Sequence, residues 1–318
     1  MGIIQNMETG ERVLLRARHI FGRDAARSDT VLTDPEVSNL HAEMCWRGNQ
    51  WFAVDHSRNG SLLCGRRLTI GQPMALELGH NLRFGPNAQS DWKLVDLSEP
   101  RSTLVPLDQG AEPIVLERHN LLPDTYAPEL SLFEIQPGQW QLEGHGEANT
   151  LAHGDTFGLN GRRYRLFVPG QTNETQTSGQ RNRSPLLSFR VSLNEEHTWL
   201  QVRGGRAQAD LGERSHHYTL LTLARLRLAD ARSGLDPIAQ GWVPADKLAR
   251  MLGMVPTHLN IQIFRARDQL LNALPTIDTL SNVVERRRGE LRLGPLNFEI
   301  YRGAQFEGQW LLQTGASV

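Results

Sequence analysis

The sequence predicts a multidomain chain that is mainly β, with an α+β domain at its C-terminal end. Three observations predict this. Short apolar stretches recur about every eight to twelve residues from residue 11 to about 97, and strand-like stretches resume from about 131 to 168, with Gly, Asn, Asp and Pro between them; this spacing marks the short strands of a β-sandwich. Residues 170–185 have almost no apolar content, which is the composition of a flexible linker. Beyond them the apolar spacing turns helical. A chain of 318 residues can bury two or three separate cores.

Residues 1–97 carry apolar stretches at 13–15, 42–46, 51–54, 76–84 and 92–95, and read as one β-sandwich. A connector with Pro100, Pro106, Gly110 and Pro113 opens a β-rich middle domain, residues 98–169. That middle part resembles a faded copy of the first. Residues 133–140 run parallel to 44–51, each ending in Trp after a Gly-containing turn, and Gly154-Asp155-Thr156-Phe157 echoes Gly79-His80-Asn81-Leu82. After the linker, residues 186–302 form the third domain. Two strands within 187–202 are joined through Asn194, Glu195 and Glu196. A helix over 213–232 follows, then one over 244–252 with Pro at its start and Gly253 past its end, and a third from Thr257, as N-cap, to Ala273. Residues 283–300 alternate around Gly289 and Gly294 as a hairpin, and 303–318 read as a tail.

Charge is distributed unevenly. The net charge is −1, yet residues 1–100 hold 11 basic and 12 acidic groups, 101–180 hold 5 and 10, and 181–302 hold 18 and 12. The basic last domain points to a polyanionic partner. Lys93 and Lys247 are the only lysines, and the arginines that replace them bind phosphate bidentately. Cys45 and Cys64 lack His or Asp at metal spacing and read as buried thiols, so neither a metal nor a cofactor is expected. No apolar run reaches the roughly 20 residues of a membrane span, and the first ten residues lack a basic-then-apolar leader, so a cytoplasmic location without a membrane partner is expected. Catalytic signatures are missing too: there is no Gly-rich phosphate loop, Ser nucleophile elbow or HExxH. His216-His217, His145, His153 and Glu195-Glu196 read as capping, packing and turn residues. The chain is expected not to be an enzyme.

Three clusters near the N-terminus carry the first candidate site: Gly22-Arg23, then Ser38, Asn39 and His41, then Ser57-Arg58-Asn59-Gly60. A phosphothreonine presents nearly two negative charges and three acceptor oxygens, so its receptor needs a guanidinium and neutral donors. Arg23 supplies the first, Ser38 and Asn39 the others, and Asn59 can both donate to and accept from a peptide backbone. Gly22-Arg23, residues 37–41 and residues 55–60 together resemble the signature of forkhead-associated domains, the phosphothreonine-binding β-sandwiches. The resemblance implies that Arg23 and Ser38 bind the phosphate with Asn39 close by, that Asn59 grips the peptide, and that Gly22, His41 and Gly60 hold the loops in shape. Arg58, where Thr or Ser is common, and Cys64, where Asn is common, depart from it; Arg58 is counted with the peptide-binding set as a second cation. The middle segment offers only His119-Asn120, Leu130-Ser131 and residues 143–146 at the matching places, with no comparable set.

The second candidate site lies in the last domain. In the third helix Leu259, Ile263, Ala266 and Leu270 form the buried stripe, leaving Asn260, Gln262, Phe264, Arg265, Arg267 and Gln269 for solvent or DNA. Arg286, Arg287 and Arg288 at the hairpin tip can reach a groove or a backbone. The stretch 259–270, the strands ahead of helix one and the hairpin resemble the winged-helix effector domain of response regulators of the OmpR type. The resemblance implies double-stranded DNA as a partner and a phosphothreonine-dependent transcriptional regulator. A phospho-dependent adaptor, its winged helix used for protein contacts, is the alternative. A homo-oligomer is left open, and a variant has Thr172, Thr175 or Thr177 phosphorylated and captured by an N-terminal site.

Overall fold

Alternating burial along short segments turns most of this chain into strands, as in Gly2–Asn6, where residues 2, 4 and 6 are buried and 3 and 5 are not. The computed structural model describes residues 1–86, 91–108, 110–126, 128–144, 147–170, 184–205 and 207–312. Residues 171–183 of the expected linker, with Thr172, Thr175 and Thr177, lie outside them, as do His145, Gly146 and residues 313–318. Two units form, Met1–Leu116 with the described part of Arg165–Gln176, and Glu117–Tyr164 with the described part of Thr177–Val318. Among the described residues no helix is long and apolar enough to cross a membrane.

Two sheets form the sandwich of the first unit. One runs in the order Arg12–Leu14, Gly2–Asn6, Asp91–Leu97, Asn81–Phe84, Ser61–Leu63, Arg66–Arg67; the other runs Thr30–Val31, Arg18–Gly22, Ala42–Arg47, Gln50–Asp55, Met74–Ala75. Their inner faces share a core in which Ile4, Phe21, Trp51 and Leu82 are at most 1% exposed. Phe21 and Phe84 stack with centroids 4.8 Å apart and tie the two sheets together. The sandwich read from the sequence is therefore present.

Cys45 is buried as expected, but Cys64 is exposed. The cause is local: Cys64 and Gly65 form the two-residue turn between Ser61–Leu63 and Arg66–Arg67, with φ of 49° and 78°. Both residues are left-handed, which suits Asn or Gly and strains a cysteine. Cys64→Asn is expected to stabilise the first unit by about 0.5–1 kcal/mol, the relief of a left-handed penalty. Urea unfolding of the two proteins side by side measures it.

In the second unit, His119–Leu122, Leu130–Gln136, Gln139–Gly144 and Glu147–Leu151 form a four-stranded antiparallel sheet in chain order. Its details repeat those of the first unit. Trp46 N–H donates to Ala17 O at 2.8 Å, and Glu134 N–H to Arg118 O at 2.9 Å. His19 Nε2 lies 2.8 Å from Thr30 Oγ1, and His119 Nε2 lies 2.8 Å from Ser131 Oγ. Trp51 and Trp140 follow equivalent turns and are 1% and 2% exposed.

The C-terminal part is built on a sheet ordered Ala207–Glu213, Thr198–Gly204, Leu186–Val191, Asn297–Arg302, Gln305–Trp310. Helices α1 (Ser215–Arg232), α2 (Ala245–Met251) and α3 (Pro256–Ala273) follow the first three of these strands in the chain. Several bounds differ from expectation. The strand Ala207–Glu213 was not expected, although Ala207, Ala209 and Leu211 alternate with polar residues along it and only Leu211 of the three is buried. Helix α3 begins at Pro256, with Val255 as an N-cap that makes no side-chain bond, so Thr257 is not the cap. The hairpin covers only Val284–Arg287 and Glu290–Leu293; Asn297–Arg302 then joins the main sheet parallel to Leu186–Val191. Residues 303–312, expected as tail, include the strand Gln305–Trp310. Trp310 secures it: the indole stacks on Phe298 at 6.0 Å, lies under Arg227 and donates to Gln240 Oε1 at 2.7 Å.

Candidate functional site

The three N-terminal clusters meet at one end of the first unit, on loops that leave Arg18–Gly22, enter Ala42–Arg47 and follow Gln50–Asp55. Backbone bonds join them. Arg23 N–H donates to Ser38 O at 3.0 Å, and Asp24 N–H to Asn39 O at 3.3 Å. Arg58 N–H donates to Ser38 Oγ at 3.2 Å, and Asn59 Nδ2 to Glu36 O at 2.8 Å. Arg23, Asn39, Arg58 and Asn59 are exposed and Ser38 is half-buried. The guanidiniums of Arg23 and Arg58 form no ion pair among the described residues. The Ser38 hydroxyl accepts from the loop and keeps its own proton to donate outward.

The residues expected as scaffold sit beneath. His41, fully buried, accepts from Ser38 N–H through Nδ1 at 3.0 Å and meets Phe84 edge-on. Gly22 passes so close to the Asn39 carbonyl that a Cβ there would collide with it, and would stand 2.7 Å from Ser28 Oγ. Gly60 has φ +88° and faces the Arg67 guanidinium. The sequence reading missed two braces. Asp55, fully buried, accepts from Ser57 N–H and Ser61 Oγ, and Arg67 Nη2 donates to Asn59 O at 2.8 Å. Asp two residues before Ser is the signal of an Asx turn and marks the first; nothing in the sequence marks the second.

Burial holds two histidines of this unit neutral. His19 is pushed down to about 4, and His41 is lowered as well, in both cases chiefly by desolvation. Both resist protonation in the folded chain, while the unfolded chain takes up protons below about pH 6.5. The contribution of His19 to stability is thus complete above that pH and declines as the pH falls towards about 4, by at most about 1.4 kcal/mol per unit, and that of His41 declines in the same direction. Hydrogen exchange at Ile20 and Phe21, corrected for the intrinsic rate, is expected to accelerate over this window; exchange that ignores pH would contradict the assignment.

The C-terminal candidates separate into two groups. Arg265, Arg287 and Arg288 are exposed; Arg287 lies over the Trp242 ring at 4.0 Å. The others are engaged, contrary to expectation. Gln262 is 4% exposed and bonds His258 at 2.8 Å, while Gln269 bridges His216, His217 and Leu211 O. Asn260 accepts from Arg286 Nη2 at 2.9 Å, Phe264 lies against His119 at 4.3 Å, and Arg267 is fully buried. Arg286 is not at the hairpin tip; its side chain is 8% exposed. One face of α3 is thus occupied on both flanks of the buried stripe, because neighbouring elements supply partners that the helix sequence alone cannot reveal.

A sandwich whose strand-end loops converge on exposed arginines, neutral donors and a buried histidine defines a class of binding modules, and residues 19–85 match the family model of the FHA domain. A protein phosphatase 1 regulatory inhibitor subunit PPP1R8 homolog of Arabidopsis thaliana is 34% identical over 90 residues, 27% of this chain; the chain spans about a quarter of that protein's length, 24%. Among solved structures, the N-terminal FHA domain of S. cerevisiae Rad53p with a phosphothreonine peptide is 18% identical, covering 30% of this chain and 91% of that one, TM-score 0.28. Mycobacterium tuberculosis EmbR with a low-affinity phosphopeptide is 21% identical over 31% of this chain and 25% of its own, TM-score 0.27.

Proposed function

We propose that this chain is a phosphothreonine-dependent, non-enzymatic regulator. Arg23 and Ser38 bind the phosphate of a partner protein, with Asn39 and Arg58 beside them, and Asn59 holds the peptide through its amide oxygen. The observation that carries this is the bonding of Arg23 N–H to Ser38 O and of Arg58 N–H to Ser38 Oγ, which brings the backbones of two arginines with exposed side chains to Ser38. The sheet of residues 119–151 is a degenerate second copy: with His119 at the place of His19, Leu122-Pro123 stands where the first unit has Gly22-Arg23, so the position of the phosphate-binding arginine is taken by proline.

The output is binding of double-stranded DNA by residues 186–310, read as a winged helix. Support comes from the order of three antiparallel strands, three helices and a hairpin, and from the exposure of Arg265, Arg287 and Arg288. The occupied flank of α3 favours the second reading, an adaptor that contacts proteins alone. Titrating the full chain with duplex DNA at several salt concentrations separates the two. A regulator binds with a log–log salt slope of several, and each of Arg265→Ala, Arg287→Ala and Arg288→Ala lowers that slope by about one for each phosphate lost. An adaptor shows no binding at low salt.

A further inference from the structure

The second unit buries a charge cluster centred on Glu143. Glu143, in the strand Gln139–Gly144, presents Oε1 to Arg267 Nη2 at 3.4 Å and Oε2 to Arg286 Nε at 3.6 Å, with side chains 3%, 0% and 8% exposed. One carboxylate therefore faces two guanidiniums. Nε and Nη1 of Arg267 and Nε of Arg286 find no hydrogen-bond partner. The same surface continues through Phe133, whose ring lies 3.7 Å beneath the Arg267 guanidinium, His119 against Phe264, and Arg118 Nη1 donating to Pro275 O at 3.1 Å. The sheet of residues 119–151 thereby lies on the side of α3 that carries Asn260, Phe264 and Arg267, and on Arg286 of the hairpin.

These are four of the side chains that a groove-reading helix and its hairpin would give to DNA. We propose that the sheet is a built-in competitor for DNA, in which the Glu143 carboxylate stands in for a backbone phosphate, and that α3 and the hairpin engage DNA fully only when the sheet is lifted. The inference rests on the DNA-binding reading above. Its physical basis is the composition of the contact. A permanent interface gains most from apolar packing, whereas two buried guanidiniums sharing one carboxylate are poorly compensated and recover their hydration on separation. A backbone phosphate presents the same pair with two non-bridging oxygens, as Glu143 presents two carboxylate oxygens, and guanidiniums pair with either.

The test uses the full chain, a fluorescent mixed-sequence duplex of about thirty base pairs chosen to exceed one binding footprint, and hydrogen exchange across α3 as the readout of lifting. Glu143→Gln removes the carboxylate, Phe133→Ala weakens the same contact without a charge change, and Glu147→Gln on the same sheet is the charge control. Faster exchange at residues 260–271 with at least tenfold tighter DNA binding in the first two variants, and neither effect in the control, is the expected result. Faster exchange with affinity equal to that of a DNA-binding parent would overturn the inference. Faster exchange with no DNA binding by any variant would instead overturn the DNA-binding reading on which it rests. Unchanged exchange in both variants would show that this contact does not hold the sheet, which also overturns the inference. Should Phe133→Ala fail to fold, Glu143→Gln alone decides among these outcomes.

Discussion

Arg23→Ala is expected to weaken binding of a phosphothreonine peptide by at least about a hundredfold while leaving the sandwich folded. Truncating one partner of a charge-assisted pair costs about 2–5 kcal/mol in binding, and a hundredfold corresponds to about 2.7 kcal/mol. Stability is spared because the Arg23 side chain is exposed and the loop bond it makes runs from its backbone N–H to Ser38 O, which alanine keeps. Arg23→Lys is expected to recover part of the affinity, since an ammonium keeps the charge but loses the two-pronged geometry. Ser38→Ala has a double effect, removing a donor to the phosphate and leaving the Arg58 N–H without its 3.2 Å acceptor. Calorimetric titration of the three variants measures the order; Arg23→Ala binding as tightly as the parent would remove Arg23 from the site.

Gly22→Ala carries the largest expected structural effect. The added methyl would collide with the Asn39 carbonyl, a backbone atom held between the Asp24 N–H at 3.3 Å and the Ser28 hydroxyl at 3.4 Å. A flexible side chain could yield, but this carbonyl cannot without displacing the Ser38-Asn39 loop. The cost is put at about 3 kcal/mol, the upper end for overpacking, and peptide affinity falls with it because the hydroxyl moves away from Arg23. Urea unfolding and peptide titration of the same preparation check both parts. A Gly22→Ala protein with parental stability would show that the close approach is not needed.

These two residues also illustrate how much of the N-terminal site was legible. Arg23, Ser38 and Asn59 are polar residues at the ends of apolar stretches, where a fold stabilised by its core has no use for them, so their gathering at one loop end was legible in local pattern. Gly22 was legible as a motif member, but its reason, a neighbouring backbone seventeen positions on, is tertiary. The same limit explains the C-terminal corrections. Helical periodicity assigns Gln262, Arg267 and Gln269 to the polar side of α3, yet His258, Glu143 and the His216-His217 pair claim them. Two of those partners lie far away in sequence, and a residue's own helix says nothing about what packs against its polar side. Cys64 failed for a different reason: a strand-like context suggested burial, but the turn Cys64-Gly65 is set by backbone dihedrals that cysteine does not advertise.

The central claim is that the loop end built from Arg23, Ser38 and Asn59 reads a phosphate on threonine. The most direct measurement is a calorimetric titration of the full chain with a phosphothreonine peptide selected from a degenerate library, followed by its unphosphorylated and phosphoserine counterparts. Saturable binding of the first, with the unphosphorylated peptide weaker by at least about a hundredfold, is the predicted result. Equal affinity for the phosphorylated and unphosphorylated peptides would contradict it.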